Sequence, residues 1–149
     1  MNRGFSLIEL IVVIGIIAIL AIFLLPVSLN YYQREILKKT EDQLVWVLKE
    51  ARDNAINQKN GSYFGLYITN GKFVIFQGQS YSQRIPTEDV SYSFPASINF
   101  SGSQEIVFAP NTGVASPSGT ISLSLGTASA DASQDKKDIV INELGVINY

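Results

Sequence analysis

Residues 4–25, GFSLIELIVVIGIIAILAIFLL, decide how the rest of the chain is interpreted. From Leu10 onward this stretch is apolar, and no charged residue follows before Arg34. About 20 apolar residues are enough for a helix to cross the hydrocarbon core of a bilayer, so the stretch is a candidate membrane span. The exception is Glu9, because an ionised carboxylate at the edge of a bilayer is costly unless it reaches the headgroups or is paired.

A short basic leader precedes the apolar stretch. The chain begins Met-Asn-Arg-Gly and continues directly with FSLIE at residues 5–9. In an ordinary secretory signal, cleavage at small residues follows the apolar segment, which is then discarded. Here the small residue Gly4 stands before the apolar segment. Cleavage after Gly4 would therefore keep the apolar helix as the N-terminus of the mature protein.

This N-terminal pattern resembles the class III signal of type IV pilins and type II secretion pseudopilins. The resemblance implies that a prepilin peptidase cleaves between Gly4 and Phe5 and that Phe5 is then N-methylated. It also implies that the carboxylate of Glu9 pairs with the freed amine of Phe5 in a neighbouring subunit. Burying two opposite charges together removes most of the penalty that each would have alone. The alternative is that Glu9 only reaches the headgroups.

Gly15 and Pro26 are the two helix-weakening residues of the span. Proline lacks an amide hydrogen and its ring clashes with the carbonyl four residues earlier, so the sequence predicts a kink or local break at Pro26. At the membrane surface such a kink would be harmless. In the pilin family, by resemblance, glycine and proline at matching positions bracket a segment that can lose helicity when subunits pack into a filament.

The sequence after Pro26 predicts that the helix continues. Residues 27–60 contain no Pro or Gly and many helix formers. Most apolar residues of this segment form one helical stripe. Trp46 lies off that stripe and either packs at its edge or contacts another subunit. Asn60-Gly61 is expected to end the helix, because Gly61 suits a left-handed cap. The stripe itself has spacings of three, four or seven and consists of Leu37, Leu44, Val47, Leu48, Ala51 and Ala55.

The remainder of the chain has the pattern of β-strands separated by turns. Asn70-Gly71 is a strong hairpin signal, because both residues tolerate positive φ. A helix whose apolar stripe covers one face of an antiparallel sheet is an α+β arrangement. The polar segment 79–89 is expected to be a loop. Strands are expected at 63–69, 72–77, 90–94, 97–100, 105–109, 119–125, 137–142 and 145–149.

Three pieces of this β-rich part, IVFAPNTG, SGTISLSL and DIVINELGVI, resemble the C-terminal domain of the GspH/FimT group of minor pilins and pseudopilins. The predicted organisation is therefore a leader at 1–4, a transmembrane or filament-core helix at 5–29, its amphipathic continuation at 30–59 and a globular head at 60–149. The fold class is α+β and pilin-like.

The resemblance implies a structural subunit of a type IV pilus or of a type II secretion pseudopilus. Its partners would be other pilin-type subunits, the prepilin peptidase, the inner-membrane assembly platform and membrane lipid. The protein would cross the bacterial inner membrane once, with its head in the periplasm or outside the cell. A major pilin and a DNA-binding minor pilin of a competence pilus are the alternatives within the superfamily.

The composition excludes several classes of function. The 149 residues contain no cysteine and no histidine, which removes a Cys nucleophile, a Ser-His-Asp triad and Cys/His zinc sites. A membrane-anchored enzyme would need a cluster of catalytic groups that the sequence does not contain, so we expect neither catalytic residues nor a cofactor. A net charge of −2 argues against a bulk attraction to nucleic acid.

A polar loop near the C-terminus holds the remaining candidates for a site. Asp131, Asp135 and Asp138 could chelate calcium, but their spacing lacks the glycine and the terminal glutamate of an EF-hand. Lys136 and Lys137 could meet DNA, yet two lysines flanked by acids make a poor phosphate track. These observations favour a solvated loop, with no metal site and no nucleic-acid partner.

The aromatic residues of the strands have two interpretations, a sugar- or base-stacking surface or an ordinary core. Aromatic residues in strands mostly form core or cross-strand pairs, so the sequence favours the core. The residues concerned are Tyr63, Phe64, Tyr67, Phe73, Phe76, Tyr92, Phe94, Phe100 and Phe108.

We expect Gly4→Leu to block processing, because the peptidase must bring the residue before the scissile bond close to its own backbone, where only a very small side chain fits. Mass spectrometry of the membrane-bound protein should find the uncut precursor for this variant. The wild type should begin at an N-methylated Phe5. An intact Met1 in mature wild-type filaments would contradict the interpretation as a pilin-type signal.

Overall fold

The computed structural model describes residues 6–57, 61–69, 71–126 and 136–149. Within these ranges the chain forms one long helix followed by short strands in two antiparallel sheets. The chain consists of two compact units. The first ends at Glu35 and the second begins at Ile36. The α+β class is confirmed. The β-rich part, however, contains two sheets where the sequence predicted one.

Helix α1 (Leu7–Ile56) is 50 residues long and includes both Gly15 and Pro26. Of the kink or local break that the sequence predicted at Pro26, the local break does not occur. The φ of about −65° that a proline ring imposes is itself a helical value, so one lost hydrogen bond need not end a helix.

α1 ends at Ile56, earlier than the predicted end at Asn60-Gly61. Gly61 does have a left-handed φ of 62°. The carbonyl of Ala55 accepts a hydrogen bond from the amide of Asn111, at 3.1 Å. In a longer helix that carbonyl would bond to the amide four residues later. The tertiary contact with Asn111 thus satisfies one of the carbonyls at the C-terminal end of the helix.

The nine strands within the described residues pair only with antiparallel neighbours. The first sheet has the order β3-β2-β1-β5-β6 and the second the order β4-β7-β8-β9. The strands are β1 (Phe64–Thr69), β2 (Lys72–Gln77), β3 (Val90–Ser93), β4 (Ile98–Gly102), β5 (Glu105–Phe108), β6 (Ala115–Ser116), β7 (Gly119–Leu125), β8 (Lys136–Ile141) and β9 (Ile147–Asn148).

The predicted hairpin around residues 70–71 is confirmed by the pairing of Thr69 with Lys72 and by the φ of 71° at Gly71. The short turn after β3 moves the chain from the edge of the first sheet to the edge of the second, where β4 pairs with β7. The sequence did not predict β6, which pairs with β5 and closes the first sheet at its other edge.

One core joins the second half of α1 to both sheets. Every residue of the predicted stripe is buried, with relative exposures of 0–1%. Full burial of a large aliphatic side chain contributes roughly 1.5–3 kcal/mol. Phe73 and Phe108 of the first sheet and Leu123 of the second pack into the same core. The part of the helix that carries the stripe, from Leu37 to Ala55, therefore belongs to the globular unit.

The aromatic residues of the strands mainly fill this core, as the sequence favoured. Tyr67 is partly buried, while Tyr92 and Phe100 are partly buried and pack against the core. Tyr63 is at the surface. The buried rings are Phe64, Phe73, Phe76, Phe94 and Phe108.

The predicted loop at 79–89 contains two short 3-10 helices, Tyr81–Gln83 and Pro86–Glu88. The ring of Tyr81 stacks on Tyr67 with a centroid distance of 3.8 Å. The guanidinium of Arg84 lies 3.8 Å from the centroid of the same ring and pairs with Asp89 at 2.7 Å. These contacts hold a polar segment in one conformation.

Glu41 is a buried carboxylate in this globular unit and was not anticipated from the sequence. Its relative exposure is 3%. Its Oε2 lies 3.1 Å from Nζ of Lys38, on the same helix, and 3.6 Å from Nζ of Lys137, on β8. A buried acid needs such partners, because an uncompensated charge in a core is costly. Glu41 therefore links α1 to the second sheet.

We expect Glu41→Gln to lower the free energy of unfolding by about 1–3 kcal/mol, since it removes a buried, charge-assisted pair. Asp42→Asn is the matched control, because Asp42 binds the same Lys38 at 3.0 Å but is exposed. Its effect should stay within about 0.5 kcal/mol. Urea unfolding of the full chain in detergent, followed by the fluorescence of the single tryptophan, Trp46, measures both. Equal effects would contradict the role of Glu41.

Candidate functional site

Glu9 lies in the first turn of α1 and is exposed. The amide of Leu10 donates to the carbonyl of Ser6 at 3.2 Å, so the helical hydrogen bonds begin at Ser6. An acidic residue in the first turn interacts favourably with the positive end of the helix dipole. Gly4 and Phe5 lie outside the described residues. The roles of Gly4, Phe5 and Glu9 in processing and assembly therefore stay predictions.

The apolar side chains that follow Glu9 are exposed on every side of the helix. All residues from 6 to 22 are exposed, including large side chains such as Ile8, Ile14 and Ile22. A helix that is apolar all round, rather than along one stripe, needs apolar surroundings on all sides. Contiguous exposed apolar surface of this kind marks an interaction site. Glu9 is the only charged residue between positions 6 and 33.

Gly15 has open space around it. A Cβ added there would meet nothing within 4 Å in the part of the chain that the structure describes. Packing among the described residues therefore does not explain why this position is glycine. A role for Gly15 and Pro26 in loss of helicity during assembly stays a prediction.

The polar loop that was weighed as a calcium site and interpreted as solvated falls mostly outside the described residues, since Asp131 and Asp135 are not among them. Asp138 accepts a hydrogen bond from the hydroxyl of Ser122 and pairs with Lys136 at 3.1 Å. The hydroxyl of Ser122 and then the ammonium of Lys136 lower the pKa of Asp138. Across 6–57, 61–69, 71–126 and 136–149, no three acidic side chains come together as a metal site.

The two lysines that could have met DNA are both engaged with carboxylates. Lys136 pairs with Asp138, and Lys137 lies 3.6 Å from the buried Glu41. Two lysines that lie among carboxylates do not form the basic stripe that nucleic-acid binding requires. This geometry argues against nucleic-acid binding at β8.

Trp46 lies at the edge of the stripe, where its ring meets Tyr92 edge to face at a centroid distance of 5.0 Å. It nevertheless remains 50% exposed. The first of its two predicted positions, at the edge of the stripe, is therefore confirmed. Contact with another subunit stays a prediction.

Arg52 contacts two turns, and the sequence did not predict these contacts. Its Nε donates to the carbonyl of Gly113 at 3.4 Å, and its Nη2 to the carbonyl of Leu144 at 3.5 Å. A Cβ on Gly145 would collide with the carbonyl of Gly113, so the two turns pack directly on each other. The signal available in the sequence was the turn residues of APNTG and NELG, although nothing in them indicated a common partner.

Comparison with known proteins gives one finding at the N-terminus. Residues 1–25 match the prokaryotic N-terminal methylation motif, which is the type IV pilin-type prepilin signal. The match supports a pilin-like subunit that is processed as a prepilin, a structural protein and not a member of an enzyme family. No curated protein and no solved structure matches the chain. The matched residues end at position 25, so the resemblance of the head to the GspH/FimT group lies outside them.

A single pass through the inner membrane was predicted from residues 4–25. Judged on the described residues, the structure contains no helix long and apolar enough to cross a membrane. The matched motif fits a membrane-anchored pilus subunit. The single pass therefore stays a prediction that depends on the sequence.

We expect the full-length protein to show no salt-dependent retention on duplex DNA, because Lys136 and Lys137 are paired with acids. Retention on a DNA column between about 50 and 200 mM salt measures this. The double variant Lys136→Ala/Lys137→Ala is the control and should behave as the wild type does. Wild-type retention that falls steeply with salt and is lost in the double variant would contradict the expectation.

Proposed function

We propose that this chain is a minor pilin or pseudopilin of the GspH/FimT type. A prepilin peptidase cleaves it between Gly4 and Phe5, and Phe5 is then N-methylated. The observation that carries the proposal is the methylation motif at residues 1–25, combined with a helix whose apolar surface is exposed all round. Its function is structural. The N-terminal half of α1 packs into the core of a type IV pilus or pseudopilus, and the head faces outward.

The proposal divides the chain into a leader at 1–4, a membrane or filament-core helix at 5–29, its amphipathic continuation at 30–59 and a head at 60–149. The compact unit that begins at Ile36 supports one refinement. From Ile36 onward the continuation of the helix is part of the folded head, because its stripe supplies the core.

Before assembly, the subunit is held in the bacterial inner membrane by α1, with the head on the periplasmic side. Residues 10–33 carry no charge, which suits a lipid environment. The partners are membrane lipid, the prepilin peptidase, the assembly platform of the inner membrane and other pilin-type subunits. Assembly then exchanges the lipid around the helix for the helices of neighbouring subunits.

The charge of Glu9 favours the transfer of the helix from lipid to the neighbouring subunits. In apolar surroundings its carboxylate can be neutralised only by protonation or by a partner cation. Arg34 lies about 37 Å further along the helix and cannot reach it. The freed amine of Phe5 in an adjacent subunit is the cation that the pilin resemblance offers. The pairing would favour a fixed axial offset between neighbouring subunits.

The GspH/FimT-like pieces of the head favour a minor over a major subunit. They correspond to β5 with its following turn, to β7 and to β8 with the turn before β9. A major pilin is the alternative within the superfamily, and the abundance of the protein in sheared filaments distinguishes the two. Neighbouring genes distinguish the machines, because secretion partners and a retraction ATPase accompany different systems.

The test of the proposal replaces Glu9 by alanine or by glutamine. Both variants should be inserted, cleaved and folded, because the head begins far along the helix from Glu9. Both should enter filaments inefficiently, because neither carries the charge that pairs with an amine. The measurement is the amount of each variant in sheared filaments at equal membrane abundance, where the wild type should be a minor component.

Glu88→Gln is the matched control, since Glu88 is an exposed carboxylate of the head that has no role in the proposal. It should be incorporated as the wild type is. Normal incorporation of both Glu9 variants would show that Glu9 only reaches the headgroups, and the proposed pairing would be wrong.

A further inference from the structure

Two consecutive tyrosines follow the apolar part of α1. Tyr31 is 72% exposed and Tyr32 is 64% exposed. Consecutive residues of an α-helix point about 100° apart, so the two rings cover different sides of the helix. Leu29, one turn before Tyr32, is also exposed, and the polar residues Gln33 and Arg34 come next in the sequence. The two rings therefore lie at the boundary between the apolar part of the helix and the polar part that follows.

The distance from these rings to Glu9 corresponds to the thickness of a bilayer. α1 is continuous between the two positions, and a rise of about 1.5 Å per residue places Tyr31 about 33 Å from Glu9 along the axis. The hydrocarbon core of a typical bilayer is about 30 Å thick. When the tyrosines are at one boundary of the core, Glu9 is therefore at the other.

We propose that Tyr31 and Tyr32 form an interfacial anchor, which binds the boundary between headgroups and hydrocarbon on the outer face of the membrane and so sets the depth of Glu9. This inference rests on the proposed function as a membrane-held subunit. A tyrosine ring has an apolar body and a hydroxyl that seeks a hydrogen bond, and such rings concentrate at the headgroup level of membrane proteins.

The interfacial anchor explains how an unassembled subunit tolerates Glu9. With the rings at the outer boundary, the carboxylate lies at the headgroup level of the inner boundary and avoids the cost of a charge in hydrocarbon. Subunits held by the same rings present Glu9 at the same depth. The carboxylate is then available, close to water, to an amine that arrives from a neighbouring subunit.

The absence of cysteine from the sequence allows a direct test. Ser6→Cys introduces a single thiol near Glu9, at an exposed described position, for a nitroxide spin label. The full-length protein is reconstituted in phosphatidylcholine vesicles. The depth of the label is measured from its collisions with oxygen, which concentrates in hydrocarbon, and with a water-soluble nickel chelate.

The label should lie at the headgroup level when both tyrosines are present. Tyr31→Leu/Tyr32→Leu lengthens the apolar surface at its outer end, and burial of the two leucines in the hydrocarbon draws the helix inward. The label should then move toward water by up to one helical turn, about 5 Å. Tyr31→Trp/Tyr32→Trp should keep the original depth, since tryptophan has the same preference for the boundary. Tyr149→Leu, which removes an exposed tyrosine outside α1, should change nothing.

The outcomes separate this inference from the proposed function. A wild-type label that is not associated with the bilayer would overturn both. A label at the headgroup level that keeps its depth in the double leucine variant would overturn the interfacial anchor alone. If that variant also entered filaments poorly, the two rings would be assigned to contact between subunits. A shift toward water with leucine, reversed with tryptophan, supports the anchor.

Discussion

An apolar helical surface that is exposed on every side, with one carboxylate in its first turn, is the constraint on which the rest of this protein depends. Transfer of apolar surface out of water contributes roughly 25 cal/mol per Å². Burial of so many large aliphatic side chains is therefore strongly favourable. Residues 6–22 remain exposed. The protein is therefore organised for surroundings made of lipid or of other subunits.

The second half of the same helix meets the opposite requirement. From Leu37 onward its apolar residues keep to one stripe, and that stripe becomes the core of the head, together with both sheets. Polar contacts then determine how the surrounding elements dock. The buried Glu41 joins α1 to β8 through Lys137, and Arg52 joins α1 to two turns that lie far apart in sequence. A protein without cysteine depends on such packing and pairing, because no disulfide can restrict its unfolded state.

The part of α1 before Arg34 carries a single charged residue, Glu9, and this agrees with the proposed division of the chain. Between Glu9 and Arg34 the sequence carries none, and the residues at the two ends of this interval differ in chemistry. At one end a single carboxylate can be satisfied by headgroups or by an amine. At the other, tyrosine rings combine apolar area with a hydroxyl. In the proposed function, a helix with this arrangement would have a defined depth in a bilayer, and that depth would allow a defined register between neighbours.

The sequence by itself determined the features that depend on local patterns. The helical stripe followed from its spacing, the hairpin from Asn70-Gly71, and the boundaries of β2 and β7 agree with those predicted. The N-terminal motif was recognisable because its residues are adjacent. Only the tertiary structure decided the division into two sheets, the end of α1 at the Asn111 contact, the strand β6 and the burial of Glu41. Each of these depends on residues that are distant in sequence, and local periodicity carries no information about which distant segments will pair.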